Sequence, residues 1–366
     1  MAPELSRTAL EQYLREVLGP ETELVAVREL EGGVLRPASD VKGFGYGHPL
    51  EVEVRRRGVL QRFVLGRTRE ETGFGHEHFA DRAQGLLWNH AAFNRLLRHA
   101  RSRDVGFLTR SGALRSAGDA VEFVQLVEKV EGRQYRVDLE RLLATGALTG
   151  LDRARALALA DYLVEIHGVR QDAPHLYDRR LRELVGHGEC IMGVVDSYPR
   201  PYPLLPDGTL ERIEQTCLAW RWRLKAHADR LCQVHGDYHP WNILFRDGTD
   251  FSLLDRSRGE WGEAADDVSC LAINYLFFAL HREGRLGGPF EVLFRLFYDR
   301  YVEKTGDDAL GLVIAPFFAF RGLVLASPLW YPRLPDAVRQ ALFRFIEHVL
   351  AVEAFEPEAV NRYLEG

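Results

Sequence analysis

Two periodicities alternate along this chain. Residues 4–18 carry apolar side chains at helical spacing, and 23–30 alternate apolar and polar positions, so a helix followed by a strand is expected. Residues 50–54 and 61–65 are short alternating or apolar runs around Arg55-Arg56-Arg57-Gly58, the pattern of a β-hairpin. Helical spacing returns over 79–100, through Leu86, Leu87, Ala91, Leu96 and Leu97, and 121–130 reads as a strand. Beyond that the helical period dominates. Residues 151–167, 211–234, 270–280, 290–301, 309–325 and 337–354 are expected helices, whose aromatics belong to the core. The stretch 181–202 is rich in turn residues.

Residues 234–255 break this run of helices. Val234-His235-Gly236-Asp237-Tyr238-His239-Pro240-Trp241-Asn242 is a polar loop, and Ile243-Leu244-Phe245 a short buried strand. Arg246-Asp247-Gly248-Thr249-Asp250 is a turn, and Phe251-Ser252-Leu253-Leu254 the returning strand. Such a hairpin delivers Asp255 beside Asn242. Four residues separate Asp237 from Asn242, the spacing of the Asp and Asn in a kinase catalytic loop. Phosphoryl transfer needs a triphosphate neutralised by Mg²⁺ and a hydroxyl held in line with it. Asn242 and Asp255 offer the oxygen ligands that hard Mg²⁺ takes. Asp237 can accept the hydroxyl proton. A capped turn followed by an Asx-turn also gives Asp-x-x-x-x-Asn. The His-Gly-Asp prefix, the His-Pro insert, the hairpin and Asp255 together favour the catalytic reading.

Composition narrows the classes. A chain of 366 residues, 46% hydrophobic and 27% charged, has the make-up of a soluble globular protein large enough for two domains. A net charge of −6 argues against a general grip on nucleic acid. Cys190, Cys217, Cys232 and Cys270 form no Cys-x-x-Cys pair and suggest neither zinc nor a disulfide framework. The polar start of the chain has no apolar signal region, and no run of eighteen apolar residues occurs, so the cytoplasm and no membrane span are expected.

The run from His235 to Asn242 closely resembles the signature of the aminoglycoside phosphotransferase and choline kinase family, which is related in fold to the protein kinases. Gly262-Glu263-Ala264-Ala265-Asp266-Asp267-Val268-Ser269 resembles the family's later Gly-x-x-x-x-Asp stretch, where Asp267 would hold the catalytic loop. The same acids also suit an ordinary helix start. The resemblance implies an α+β, two-lobed, protein-kinase-like fold. A small N-terminal nucleotide-binding lobe with an antiparallel sheet would cover 1–130, and a large, mainly helical lobe with the catalytic and acceptor groups 131–366. Backbone groups from Glu128 to Val130, at the hinge, would bind the adenine edge. Helix 79–100 resembles the kinase helix that gives a glutamate to a lysine, with Glu77 and Asp81 the nearest acids. Residues 160–167 resemble the core helix before the catalytic loop, and His167 in it reads as structural. The implied cofactors are ATP and Mg²⁺, and the implied partner is a small-molecule hydroxyl acceptor: an aminoglycoside, an amino-alcohol or a sugar-like compound.

Gly43-Phe44-Gly45-Tyr46-Gly47, with Lys42 beside it, would let backbone N–H groups at Gly43 and Gly45 approach phosphate, and equally suits a flexible hairpin. The family's third-strand lysine is missing from Phe63-Val64-Leu65-Gly66-Arg67-Thr68. Alternation puts Phe63, Leu65 and Arg67 on one face. Arg67 is therefore the first candidate for the phosphate cation and Lys42 the second, since arginine grips phosphate bidentately. The missing lysine keeps a nucleotide-binding regulator in play. A protein kinase is the other rival, against which the His-Gly-Asp triplet and the missing activation-segment signature speak. Acidic loops suit a cationic acceptor, whereas Arg256 and Arg258 suit an anionic one.

Overall fold

In the computed structural model the described residues are 5–30, 47–70 and 74–365, and the chain divides into two compact units between Val127 and Glu128. The first unit opens with α1 (Arg7–Leu18), capped by Ser6, whose hydroxyl accepts the Ala9 N–H at 3.1 Å. Leu10, Tyr13 and Leu14 on its inner face pack with Leu24, Val52 and Val54 into a small core. The last three lie on an antiparallel sheet of β1 (Glu23–Glu29), β2 (Gly47–Arg56) and β3 (Val59–Thr68), in the order β1-β2-β3. Arg57 and Gly58, at φ of 49° and 77°, form the tight turn between β2 and β3. There follow α2 (Phe79–Phe93) and a hairpin of β4 (Gly106–Leu108) and β5 (Leu114–Ser116).

Two expectations fail in this unit. The helix over 79–100 ends at Phe93, because the Asn94 amide donates to the carbonyls of His90 at 3.2 Å and Ser102 at 2.9 Å and turns the chain. Residues 121–130 form no strand. Val121 and Leu126 are 98% and 99% exposed. A strand needs a neighbour to complete its ladder, and apolar, β-prone side chains cannot supply one.

The second unit runs through β6 (Arg133–Gln134), α3 (Arg136–Thr145), α4 (Gly150–His167), α5 (Pro174–Gly186), α6 (Ile191–Asp196) and α7 (Thr209–Leu224). Then come β7 (Cys232–Gln233), β8 (Ile243–Phe245), β9 (Phe251–Leu253), β10 (Trp261–Gly262), α8 (Ala264–Glu283), α9 (Gly288–Thr305), α10 (Leu310–Val313), α11 (Ala315–Ala326) and α12 (Asp336–Ala351). Its strands form two small antiparallel sheets, β6-β8-β9 and β10-β7. Residues expected to be turn-rich include the end of α5 and all of α6. The helix expected over 211–234 breaks after Leu224 into a 3₁₀ turn, with His227 outside helical geometry, and then β7. The helix expected over 309–325 is two, α11 starting afresh at a proline in its first turn. The α+β class holds: a small antiparallel sheet in the first unit and mostly helix in the second.

The main core belongs to the second unit, and α8 is its centre: every residue from Ala264 to Leu280 is buried. A helix with no polar face must be enclosed on all sides. The four cysteines are free and buried. Among the described residues, no helix is long and apolar enough to cross a membrane.

Candidate active site

The loop between β7 and β8 is built from two overlapping turns. The Asp237 carbonyl accepts the His239 N–H, and the His239 carbonyl accepts the Asn242 N–H, each at 2.9 Å. The chain doubles back, so the Asn242 amide donates to the Asp237 carbonyl at 3.1 Å and to Asp237 Oδ2 at 3.3 Å. That return is the physical content of the four-residue spacing. Gly236 enters the first turn at φ 84°, and a Cβ there would stand 3.1 Å from the Arg258 Cβ. Glycine meets both demands.

The hairpin forms as expected. Ile243 pairs with Leu253 and Phe245 with Phe251, and the Arg246 N–H donates to the Asp250 carbonyl at 2.9 Å. The Leu254 N–H donates to the Asn242 carbonyl at 2.9 Å, so Asp255 is the next residue after Asn242's backbone partner. Asp255 has φ 55° and is exposed. Together with His235 it lines a cavity of ≈ 200 Å³.

Asp237 is enclosed, its side chain 13% exposed. Arg321 donates to Oδ1 at 2.6 Å, and Arg258 Nε lies 3.9 Å from the same oxygen. His239 Nε2 lies 3.4 Å from Oδ2. Burial alone would raise the pKa. The contact with His239 and the charges of Arg321 and Arg258 outweigh it and hold the carboxyl well below the usual range. Asp237 is thus ionised, with Oδ1 clamped and Oδ2 beside the Asn242 amide.

Three carboxylates at the start of α8 brace this loop and its surroundings. Asp267 accepts the N–H groups of His235 and Gly236, both at 2.7 Å, and lies 3.2 Å from His167 Nε2. The other nitrogen of His167 meets the Tyr301 hydroxyl at 2.9 Å, so this histidine serves the scaffold. Asp266 pairs with Arg180 and Arg321. Glu263 pairs with Arg230 and accepts from the Tyr177 hydroxyl at 2.7 Å. Burial pushes the His235 imidazole down, which keeps it neutral, and its Nδ1 accepts the Asp237 N–H at 3.2 Å.

Lys42, Gly43 and Gly45 lie outside the described residues. Arg67 is exposed near the end of β3, opposite His48, while Phe63 and Leu65 pack against the first unit's core. Glu128 and Val130 sit on the segment that forms no strand, so the strand end expected to present them is absent there. Asp81 accepts the His78 N–H at 2.9 Å, at the entrance to α2. Arg256 braces the loop, donating to the carbonyls of Val234 at 2.9 Å and Glu260 at 3.2 Å. Arg258 donates to Cys190 Sγ at 3.4 Å beside Asp237. Arg321, Arg180 and Asp266 were not singled out by the sequence. One signal was available: Arg321 is the only charge in the apolar helix α11.

Asn242, just before β8, and Asp255, two residues after β9, are hard oxygen donors. Among the described residues no group of three or more His, Cys, Asp and Glu side chains gathers for a metal. Hard oxygen donors of this kind suit magnesium, an ion that commonly keeps several waters in its shell.

The family model of the phosphotransferase enzyme family matches residues 78–288, more than half of the chain. No curated protein matches it. An ADP-bound aminoglycoside phosphotransferase is similar at 14% identity, covering 95% of this chain and 97% of its own, with a TM-score of 0.32. A Plasmodium vivax ethanolamine kinase is similar at 11% identity, covering 94% of this chain and 81% of its own, with a TM-score of 0.35. A glucosamine kinase reaches 18% identity, with 96% and 95% coverage and a TM-score of 0.31. Likenesses at this level span the chain without identifying a substrate.

Proposed function

The chain belongs to the phosphotransferase enzyme family, and on that premise we propose that it transfers the γ-phosphoryl group of ATP to a hydroxyl of a small molecule. The acceptor class is an aminoglycoside, an amino-alcohol or a sugar-like compound. The observation that carries this reading is the Asp237 carboxylate, ionised, with one oxygen clamped and the other beside Asn242. In this reading Oδ2 receives the hydroxyl proton and aims the hydroxyl oxygen. Asn242 and Asp255 hold Mg²⁺. When bound, the ion neutralises the triphosphate and sets it for in-line displacement. Asn242 also keeps Asp237 in place, since its amide nitrogen serves Asp237 and leaves its oxygen for the metal. Asp267 and neutral His235 hold the loop backbone to the core, which preserves the alignment on which transfer depends. Lys42, Gly43, Gly45 and Arg67 are assigned to the phosphates, and the backbone from Glu128 to Val130 to the adenine edge.

The test is acceptor-dependent ADP release with ATP, magnesium and a panel of aminoglycosides, amino-alcohols and sugars. Turnover on at least one acceptor is expected. Asp237→Asn should lower it by about a hundredfold or more while nucleotide binding survives. A fully active Asp237→Asn variant removes Asp237 from the mechanism. Nucleotide binding with no turnover on any acceptor favours a nucleotide-binding regulator, and turnover confined to protein acceptors favours a protein kinase.

A further inference from the structure

We propose that Arg321 is a positioning residue for Asp237, tying one carboxylate oxygen to the buried start of α8 and so dictating which oxygen meets the acceptor hydroxyl. The inference rests on Asp237 receiving the hydroxyl proton.

Arg321 sits on α11 with 5% of its surface exposed, among apolar neighbours along that helix. A guanidinium in such a place is costly unless it is paired and hydrogen-bonded. Here it has three acceptors that belong to one construction. It donates to Asp237 Oδ1 at 2.6 Å, to the Gly236 carbonyl at 2.7 Å and to Asp266 Oδ1 at 2.7 Å. Asp266 is fully buried and its other oxygen takes a hydrogen bond from Arg180. The Arg321 guanidinium also lies over the Phe320 ring, 4.6 Å from its centre. Arg180, Asp266, Arg321 and Asp237 therefore make one line of alternating charge, and its end is the proposed proton acceptor.

The line distinguishes the two oxygens of Asp237. Oδ1 has the short bond to Arg321. Oδ2 has only the longer contacts to Asn242 at 3.3 Å and His239 at 3.4 Å. A carboxylate anchored at one oxygen cannot exchange the two by rotation about its last bond. The planar fork of arginine suits this task, because it reaches the side chain of one residue and the backbone of its neighbour together. A lysine in the same place would offer a point charge without that geometry. A misplacement of about 1 Å at a reacting group costs about a hundredfold in rate, so the expected effect falls on turnover rather than on binding.

The experiment is a double-mutant cycle on the full chain with the acceptor identified in the panel. Arg321→Gln should lower kcat by about ten- to a hundredfold while both KM values change by less than about threefold. In the Asp237→Asn background the same substitution should change kcat by less than about threefold, because the two residues act as one unit. Arg321→Lys, normalised to folded protein, runs the same cycle if Arg321→Gln does not fold, and should also lose turnover. Effects that multiply independently would overturn the proposal. So would an unchanged kcat per folded molecule with lowered stability, which marks a purely structural ion pair. Failure of the base reading looks different: Asp237→Asn alone would then be fully active, whatever Arg321 does.

Discussion

Helices α8 and α2 are opposites in how they hold polar groups. α8 buries every residue from Ala264 to Leu280, and its first turn carries two of the carboxylates that organise the second unit, with the third at its N-cap. α2 buries none of its residues, and its Phe79 and Trp88 are 67% and 72% exposed. In a low-dielectric interior a satisfied polar network is rigid, and an unsatisfied member is costly. At the surface the same pairings contribute about 0–1 kcal/mol. The comparison teaches that the loop around Asp237 is held by the core, whereas contacts near α2 are adjustable.

The sharpest way to break this comparison is Asp267→Ala. It removes the acceptor of two loop N–H groups and the partner of His167, and should cost about 3–5 kcal/mol in urea unfolding. Burial favours the protonated form of Asp267, yet the contact with His167 and the His235 N–H hold its pKa below the usual carboxylate range. A depressed folded value means its stabilisation is complete above the unfolded value, about 4, and is lost as pH falls through the folded one. Acidification below about pH 4 should therefore destabilise the wild type more steeply than the variant. Unchanged stability in Asp267→Ala would end the contrast.

A smaller effect is expected at Asp255, which is close to the site but exposed. Asp255→Ala should cost no more than about 1 kcal/mol in stability, the strain of placing alanine at φ 55°. It should weaken magnesium-dependent nucleotide binding by about ten- to a hundredfold, the loss of one charge-assisted contact, and metal-free binding much less. Calorimetric titrations with and without magnesium check this, and equal losses would contradict metal ligation. The smallest effect belongs to α2. Phe79→Ser should shift unfolding by no more than about 0.5 kcal/mol, and a loss above about 2 kcal/mol would show that this helix has an apolar partner.

The β8–β9 hairpin was legible because a short apolar run between turn residues leaves no room for a helix, and its observed strands follow the expected ones within a residue. The role of Asp267 was legible only through resemblance, since an acid at a helix start has an ordinary explanation. The segment over 121–130 misled because alternation says what a strand would bury and not whether a neighbouring strand exists. Arg321 stands 84 residues from Asp237, and no local pattern encodes a pairing at that distance. It showed only as a lone charge in an apolar helix. The one helix expected over 211–234 failed where the chain had to turn into β7, a requirement set by β10, its partner from later in the chain.

The two hydrogen bonds to Asp267 also bear on timescale. The N–H groups of His235 and Gly236 end neither in solvent nor in a neighbouring strand, but on a side chain inside the core. For either to exchange its hydrogen with water, its bond to a carboxylate in the buried first turn of α8 must break. Opening energies within one protein range from near zero at frayed loops to the full unfolding energy in the core. By chain position this segment is a loop, but the His235 and Gly236 amides are expected among the slowest to exchange, as hydrogen-exchange measurements would check.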